Sequence, residues 1–145
     1  MPSPYVLDTN TIICILRREP RAVGGLRMAA ERDAPVYLCP VVYFEVTRGF
    51  VITPDVEQER VFHSMKEALE WDDLSERDWD KAASLWAECR QRGRRPKDAD
   101  ILIAAYALNR DATVVTDDVG HFENIGLVIE NWRQSEDSSS PRPQR

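Results

Sequence analysis

Acidic side chains recur where predicted strands end and predicted helices begin, and six of them are placed so that they could share one site. These six are Asp8, Glu45, Asp98, Asp100, Asp117 and Asp118. Carboxylates held a few ångströms apart repel one another, so such a cluster costs stability unless a cation neutralises it. Mg²⁺ and Mn²⁺ prefer oxygen ligands, and a bound ion can activate water against a phosphodiester. The pattern therefore predicts a carboxylate metal site suited to phosphodiester hydrolysis.

Each acid also has a structural explanation when it is taken alone. Asp8 could cap a helix, Asp98 and Asp100 could interact with a helix dipole, and 117–118 could form a turn. Glu45 lies among apolar residues, where an unpaired charge would be costly to bury. The joint placement of the acids, more than any one of them, favours a shared site.

The elements that must position these acids alternate along the chain. Short apolar strands are predicted at 6–7, 36–39, 71–74, 113–116 and 127–129, and helices are predicted at 11–16, 21–32, 40–50, 55–69, 75–91 and 98–109. This alternation predicts a three-layer α/β/α sandwich with a mostly parallel central sheet. Ligands of such sheets bind outside the carboxyl ends of the strands, so Asp8 and 117–118 are expected in one crevice.

The helix from Ser75 carries an amphipathic stripe in which Trp79 and Trp86 stand seven residues apart. These two rings could form a base-stacking platform, but packing in the core is the favoured interpretation. Ser75 is expected to cap the helix, with Asp78 three positions on.

The chain has 145 residues, the usual size of one domain, and a formal net charge of -6. Binding to nucleic acid would therefore depend on local basic patches and bound metal. The loop 92–97 and the group Arg17, Arg18 and Arg21 are candidate patches, although a solvated surface explains them equally well.

Three cysteines without CxxC spacing indicate buried small hydrophobes rather than a zinc site or a disulfide framework. The first residues lack a signal pattern, and no apolar run approaches the roughly 20 residues that span a membrane. We therefore expect a cytoplasmic protein with no membrane partner. Residues 1–132 form the expected domain, and the Ser-, Pro- and charge-rich segment 133–145 is predicted to be disordered.

The order of several short motifs resembles that of PIN-domain ribonucleases, and in particular the VapC toxins of type II toxin–antitoxin pairs. The motifs are Asp8-Thr9-Asn10, Glu45 in the third helix, Asp100 to Ala105, Val115-Thr116-Asp117-Asp118 with His121-Phe122, and Ile125 to Trp132. Each motif is short, but together they cover nearly the whole chain up to Trp132.

The resemblance implies a Mg²⁺- or Mn²⁺-dependent endoribonuclease that forms a homodimer and is inhibited by a cognate antitoxin protein. It implies that Asp8, Glu45, Asp100 and Asp118 hold the metal, with Asp117 as a stand-in for Asp118. Three further residues would support the site: Asn10 and Thr116 would orient carboxylates or water, and Asp98 could reach the site from the same helix as Asp100. The antitoxin would contact the helix 11–16 and the region 48–51.

Other functions fit the sequence less well. A phosphohydrolase with an aspartate nucleophile, of the haloacid-dehalogenase type, needs a second acid two residues later, where this chain has Asn10. A catalytically inert PIN-like scaffold that binds RNA or a partner would have no reason to retain a repulsive acidic cluster. A PIN nuclease of RNA processing or defence, outside a toxin–antitoxin pair, remains an alternative.

Overall fold

The chain forms one parallel sheet flanked by helices. The computed structural model describes residues 2–122 and 125–133. The strands are β1 (Tyr5–Leu7), β2 (Val36–Leu38), β3 (Glu70–Trp71), β4 (Thr113–Val115) and β5 (Ile129–Glu130). Their spatial order is β3-β2-β1-β4-β5, and every neighbouring pair is parallel.

In the described part of the chain, six α-helices connect and cover these strands. They are α1 (Thr9–Leu16), α2 (Pro20–Glu31), α3 (Pro40–Ile52), α4 (Val56–Ala68), α5 (Glu76–Gln91) and α6 (Asp98–Asn109), and a short 3₁₀ turn spans Val119–His121. The predicted fold class, a three-layer α/β/α sandwich, is confirmed. Most observed element boundaries differ from the predicted ones by one to three residues, as is usual for element ends.

The central strands are mostly apolar because helices cover the sheet on both faces. Val6, Leu7, Val114 and Val115 are completely buried. The register pairs Leu7 with Val115, and the Asp8 N–H donates to the Val115 carbonyl at 2.9 Å. This register places Asp8 next to Thr116 at the carboxyl end of the sheet.

Helix starts follow the residues expected from sequence. Asp8 is the N-cap of α1, and Pro40 occupies the first turn of α3, where its missing N–H has no partner to lose. Ser75 and Asp78 form a complete capping box at the start of α5.

The expectation that Trp79 and Trp86 pack in the core is wrong. These side chains are 51% and 42% exposed, whereas Ala82, Leu85 and Cys89 form the buried stripe of α5. The stripe begins at Asp78, which is 1% exposed because it pairs with Arg110 at 2.9 Å. Burying Asp78 turns the helix so that the neighbouring Trp79 faces outward.

Three further predictions concern the polar tail, membrane-spanning segments and the cysteines. Residues 134–145, most of the segment predicted to be disordered, lie outside the described residues. Within the described ranges, no helix is both long enough and apolar enough to cross a bilayer. Cys14, Cys39 and Cys89 are all buried, as the sequence indicated.

Candidate carboxylate site

Asp8 is the most buried acid of the candidate site, with 7% of its surface exposed. Its Oδ1 accepts a hydrogen bond from the Thr9 N–H at 2.8 Å, and its Oδ2 accepts one from the Thr116 hydroxyl at 2.8 Å. The same carboxylate therefore caps α1 and connects the start of that helix to Thr116, the residue that follows β4. Its structural and functional interpretations are compatible.

Glu45 approaches this edge from the middle of α3. Its Oε1 accepts a hydrogen bond from the Thr9 hydroxyl at 2.7 Å, and Arg48 lies 3.4 Å from its Oε2. Only 18% of the side chain is exposed. Thr9 thus links Glu45 to Asp8, since its N–H contacts one acid and its hydroxyl contacts the other.

Asp100 and Asp118 meet around a histidine. Asp100 lies in the first turn of α6, and its Oδ2 is 3.2 Å from His121 Nδ1. His121 Nε2 is 3.2 Å from Asp118 Oδ2. The Asp118 N–H also donates to the Thr116 hydroxyl at 3.0 Å, so Asp118 is connected to Asp8 through Thr116.

Three other predicted residues lie apart from these four acids. The Asp117 carboxylate turns toward Arg133, whose Nη1 donates to it at 2.8 Å. Asp98 and Asn10 are exposed in the first turns of their helices. Within residues 2–122 and 125–133, neither is hydrogen-bonded to a site carboxylate.

Burial and mutual repulsion raise the pKa of two site carboxyls. For Asp8, burial is the largest cause, hydrogen bonds from Thr116 and Thr9 oppose it, and the charges of Asp100 and Glu45 add to it. For Asp100, burial again comes first, His121 opposes it, and Glu45 and Asp118 raise the pKa further. The acids therefore share one electrostatic environment that favours a positive charge.

The donor chemistry of this environment fits a hard divalent cation, because its acids offer carboxylate oxygens. In the part of the chain that the structure describes, however, no three histidine, cysteine, aspartate or glutamate side chains converge tightly enough to enclose a metal. The acids are instead turned toward Thr9, Thr116, Arg48 and His121. Holding an ion would require these side chains to turn away from those partners.

Sequence reasoning did not assign a site role to Thr9, Arg48 or His121. His121 was noted beside Asp118, and its i,i+3 spacing from that acid was the available signal. The Arg48–Glu45 pair has i,i+3 spacing within α3 and could have been read from sequence. The contact of Thr9 with Glu45 depends instead on how α3 crosses α1, which local sequence does not encode.

Comparison with known proteins shows the family of this chain. The model of the PIN domain family matches residues 5–127, a range that contains Asp8, Glu45, Asp100 and Asp118. The chain belongs to the PIN-domain family.

Two relatives align over nearly their whole length. Ribonuclease VapC2 of Rickettsia felis is 28% identical over 134 residues, which cover 88% of this chain and 97% of that protein. Plasmid stability protein StbB of Pseudomonas syringae pv. tomato is 34% identical over 138 residues, with the same coverage of both chains.

Solved PIN-domain structures have the same architecture. VapBC2 from Rickettsia felis, bound to a DNA fragment from its promoter, superposes with a TM-score of 0.81 at 25% identity, covering 88% of this chain and 98% of that one. FitAcB from Neisseria gonorrhoeae gives a TM-score of 0.73 at 27% identity, covering 88% and 97%.

Proposed function

We propose that this PIN-domain protein is a divalent-metal-dependent endoribonuclease and the toxin of a toxin–antitoxin pair. The observation that carries the proposal is Asp8, a buried carboxyl whose pKa is raised by burial and by the charges of Asp100 and Glu45. A fold has little reason to retain such repulsion unless a cation relieves it. The names of the relatives, a ribonuclease and toxin–antitoxin complexes, support the same activity.

Asp8, Glu45, Asp100 and Asp118 would hold Mg²⁺ or Mn²⁺. When bound, such an ion supplies an activated water and stabilises charge on the scissile phosphate. The protein's own part is to orient the acids. The Thr116 hydroxyl fixes Asp8 at 2.8 Å, and the Thr9 hydroxyl fixes Glu45 at 2.7 Å.

The other predicted residues would act from the periphery. In this proposal Asn10 and Asp98 contact water or RNA from the exposed first turns of α1 and α6. Asp117 is paired with Arg133 and is not proposed as a ligand.

The basic loop 92–97 is the proposed contact for RNA phosphates. Arg94 donates to the Gly120 carbonyl at 3.3 Å, which holds the loop beside the 3₁₀ turn that carries His121. Arg95 and Lys97 are exposed on the same loop. Phosphate contacts position a substrate without reading its sequence, so this loop would bring diverse RNA strands to the acids.

The antitoxin is proposed to bind in a groove between α1, α3 and α4. The groove has a volume of about 380 Å³ and is lined by side chains that include Ile13, Leu16, Glu45 and Phe50. Most of α1 is buried in the core, so of the two expected contact regions the end of α3 offers more free surface. Val51 and Ile52 there are 76% and 81% exposed.

A homodimer is also part of the proposal. A second cavity of about 330 Å³ lies between α3 and α6 and includes Phe44 and Leu102. Phe44 is 59% exposed, and in this proposal a second copy of the chain covers it. Light scattering on the purified chain should give twice the mass of 16.6 kDa.

Cleavage of total tRNA and rRNA in Mg²⁺, Mn²⁺ or EDTA tests the activity. We expect cuts that require metal and that disappear in Asp8→Asn and Asp100→Asn. Asp80→Asn is the matched control, because Asp80 is an exposed aspartate on α5 and should leave cleavage unchanged. Circular dichroism should show that all variants are folded.

Three outcomes would redirect the proposal. Full cleavage by Asp8→Asn would overturn the site assignment. A folded, antitoxin-free protein that cuts no RNA in either metal would point to an inert scaffold. Metal-dependent cleavage without an adjacent reading frame for an antitoxin would favour an RNA-processing nuclease instead.

A further inference from the structure

Asp118 is the most loosely held of the four acids of the candidate site. Its side chain is 40% exposed, compared with 15% for Asp100 and 18% for Glu45. It also lies in the irregular segment after β4. An exposed loop carboxylate has several rotamers and backbone positions to lose on binding an ion, so a restraint on the loop would raise metal affinity.

One restraint comes from the end of the sheet. The Thr116 N–H donates to the Glu130 carbonyl of β5 at 2.9 Å, and beyond β5 the Arg133 guanidinium reaches back to the loop. Arg133 Nη1 is 2.8 Å from Asp117 Oδ2, and its Nη2 is 3.2 Å from Glu19 Oε1. Arg133 therefore bridges the residue before Asp118 to the N-cap of α2.

Arg133 is itself fixed by the segment that carries it. Its N–H donates to Asn131 Oδ1 at 2.9 Å, and its carbonyl accepts from Arg21 at 3.2 Å. The preceding Trp132 lies against α2 at Gly25, where an added Cβ would come within 2.4 Å of the indole. Trp132 also makes an edge contact with the Tyr5 ring at 5.3 Å.

We propose that Arg133 is a positioning residue, which through Asp117 holds the 116–118 loop so that the Asp118 carboxylate is available to a divalent cation. The proposal rests on the proposed metal-dependent function. Exposed ion pairs contribute little to stability, and Arg133 is 48% exposed. Its effect should therefore appear in metal affinity more than in folding.

The test is Mn²⁺ binding to the full chain without RNA, measured by the loss of the free-ion signal in electron paramagnetic resonance. Arg133→Ala should weaken binding about tenfold, the low end of the range for neighbours that orient metal ligands. Arg133→Lys should recover part of the affinity. Arg60→Ala is the matched control, because Arg60 pairs with Glu57 on the surface of α4 at 2.6 Å and should change nothing.

A double-mutant cycle identifies the route. Asp117→Asn should weaken Mn²⁺ binding to a similar degree, and Arg133→Ala with Asp117→Asn should be no weaker than either single variant. Melting temperatures of all variants should stay within a few degrees of the parent. Equal Mn²⁺ affinity in Arg133→Ala and the parent would overturn the positioning role, as would fully additive losses. Failure of the parent itself to bind Mn²⁺ would instead overturn the proposed function.

Discussion

Alanine at Gly24 and alanine at Gly25 should change stability in opposite directions, although the two glycines are neighbours in α2. A Cβ at Gly24 would meet nothing within 4 Å, whereas a Cβ at Gly25 would lie 2.4, 2.6 and 2.7 Å from three atoms of the Trp132 indole. Ordinary contacts begin near 3.4 Å, so the ring must retreat by about 1 Å. The two alanine variants therefore differ in whether the added methyl group contacts Trp132.

The expected magnitudes follow from that geometry. Both substitutions gain helix propensity, so Gly24→Ala should stabilise the protein by about 0.5–1 kcal/mol. Gly25→Ala also overpacks the site, which costs about 1–3 kcal/mol. The difference between the two variants is the steric cost alone, and for a domain of this size it corresponds to roughly 3–10 °C in melting temperature.

Thermal unfolding followed by circular dichroism at 222 nm measures this difference, with urea titration as a second route to the free energy of unfolding. Equal stability of the two alanine variants would refute the placement of Trp132 against α2. Because Arg133 follows Trp132, Gly25→Ala should also weaken Mn²⁺ binding, while Gly24→Ala should not.

Three further outcomes are expected. Burial opposes ionisation of Asp78, but hydrogen bonds from Arg110, Ser75 and Asn109 outweigh it and hold the pKa of Asp78 below its usual range. Asp78→Ala should therefore lower the free energy of unfolding, measured in urea at pH 7, by about 3 kcal/mol. This loss should shrink as pH falls below about 4. Asp8→Asn should raise the melting temperature at pH 7, because it removes a buried charge that Asp100 and Glu45 repel. Since burial raises the pKa of Asp8 in the folded state, the parent loses stability as pH rises through that pKa. The difference in melting temperature between Asp8→Asn and the parent should therefore close in acid. A difference that is constant from pH 4 to 8 would contradict this. Burial raises the pKa of Cys14 and Cys39 to about 11, so iodoacetamide at pH 8, mapped by mass spectrometry, should alkylate them only after denaturation.

Much of the fold could be predicted from local sequence, because strand and helix signals act over a few residues. Apolar runs bounded by Pro and polar residues located β1, β2 and β4, and the Ser75–Asp78 box located the start of α5. The aromatic stripe of α5 was misassigned because helical periodicity identifies an apolar face without showing whether another element covers it. Burial of Asp78 against Arg110, 32 residues away, decided which face of α5 turns inward.

The sequence alone determined which residues carry carboxylates and at which strand ends and helix starts they stand. Parallel β-α alternation then requires that Asp8 and Asp118 share one edge of the sheet, since parallel strands end on the same side. Tertiary structure decided which neighbours each acid meets: Thr9 between Asp8 and Glu45, His121 between Asp100 and Asp118, and Arg133 on Asp117. Apart from the local contacts of Asp8 with Thr9 and of Asp118 with His121, these contacts join residues from different elements. Their distances depend on how helices cross and loops close, which no local pattern specifies.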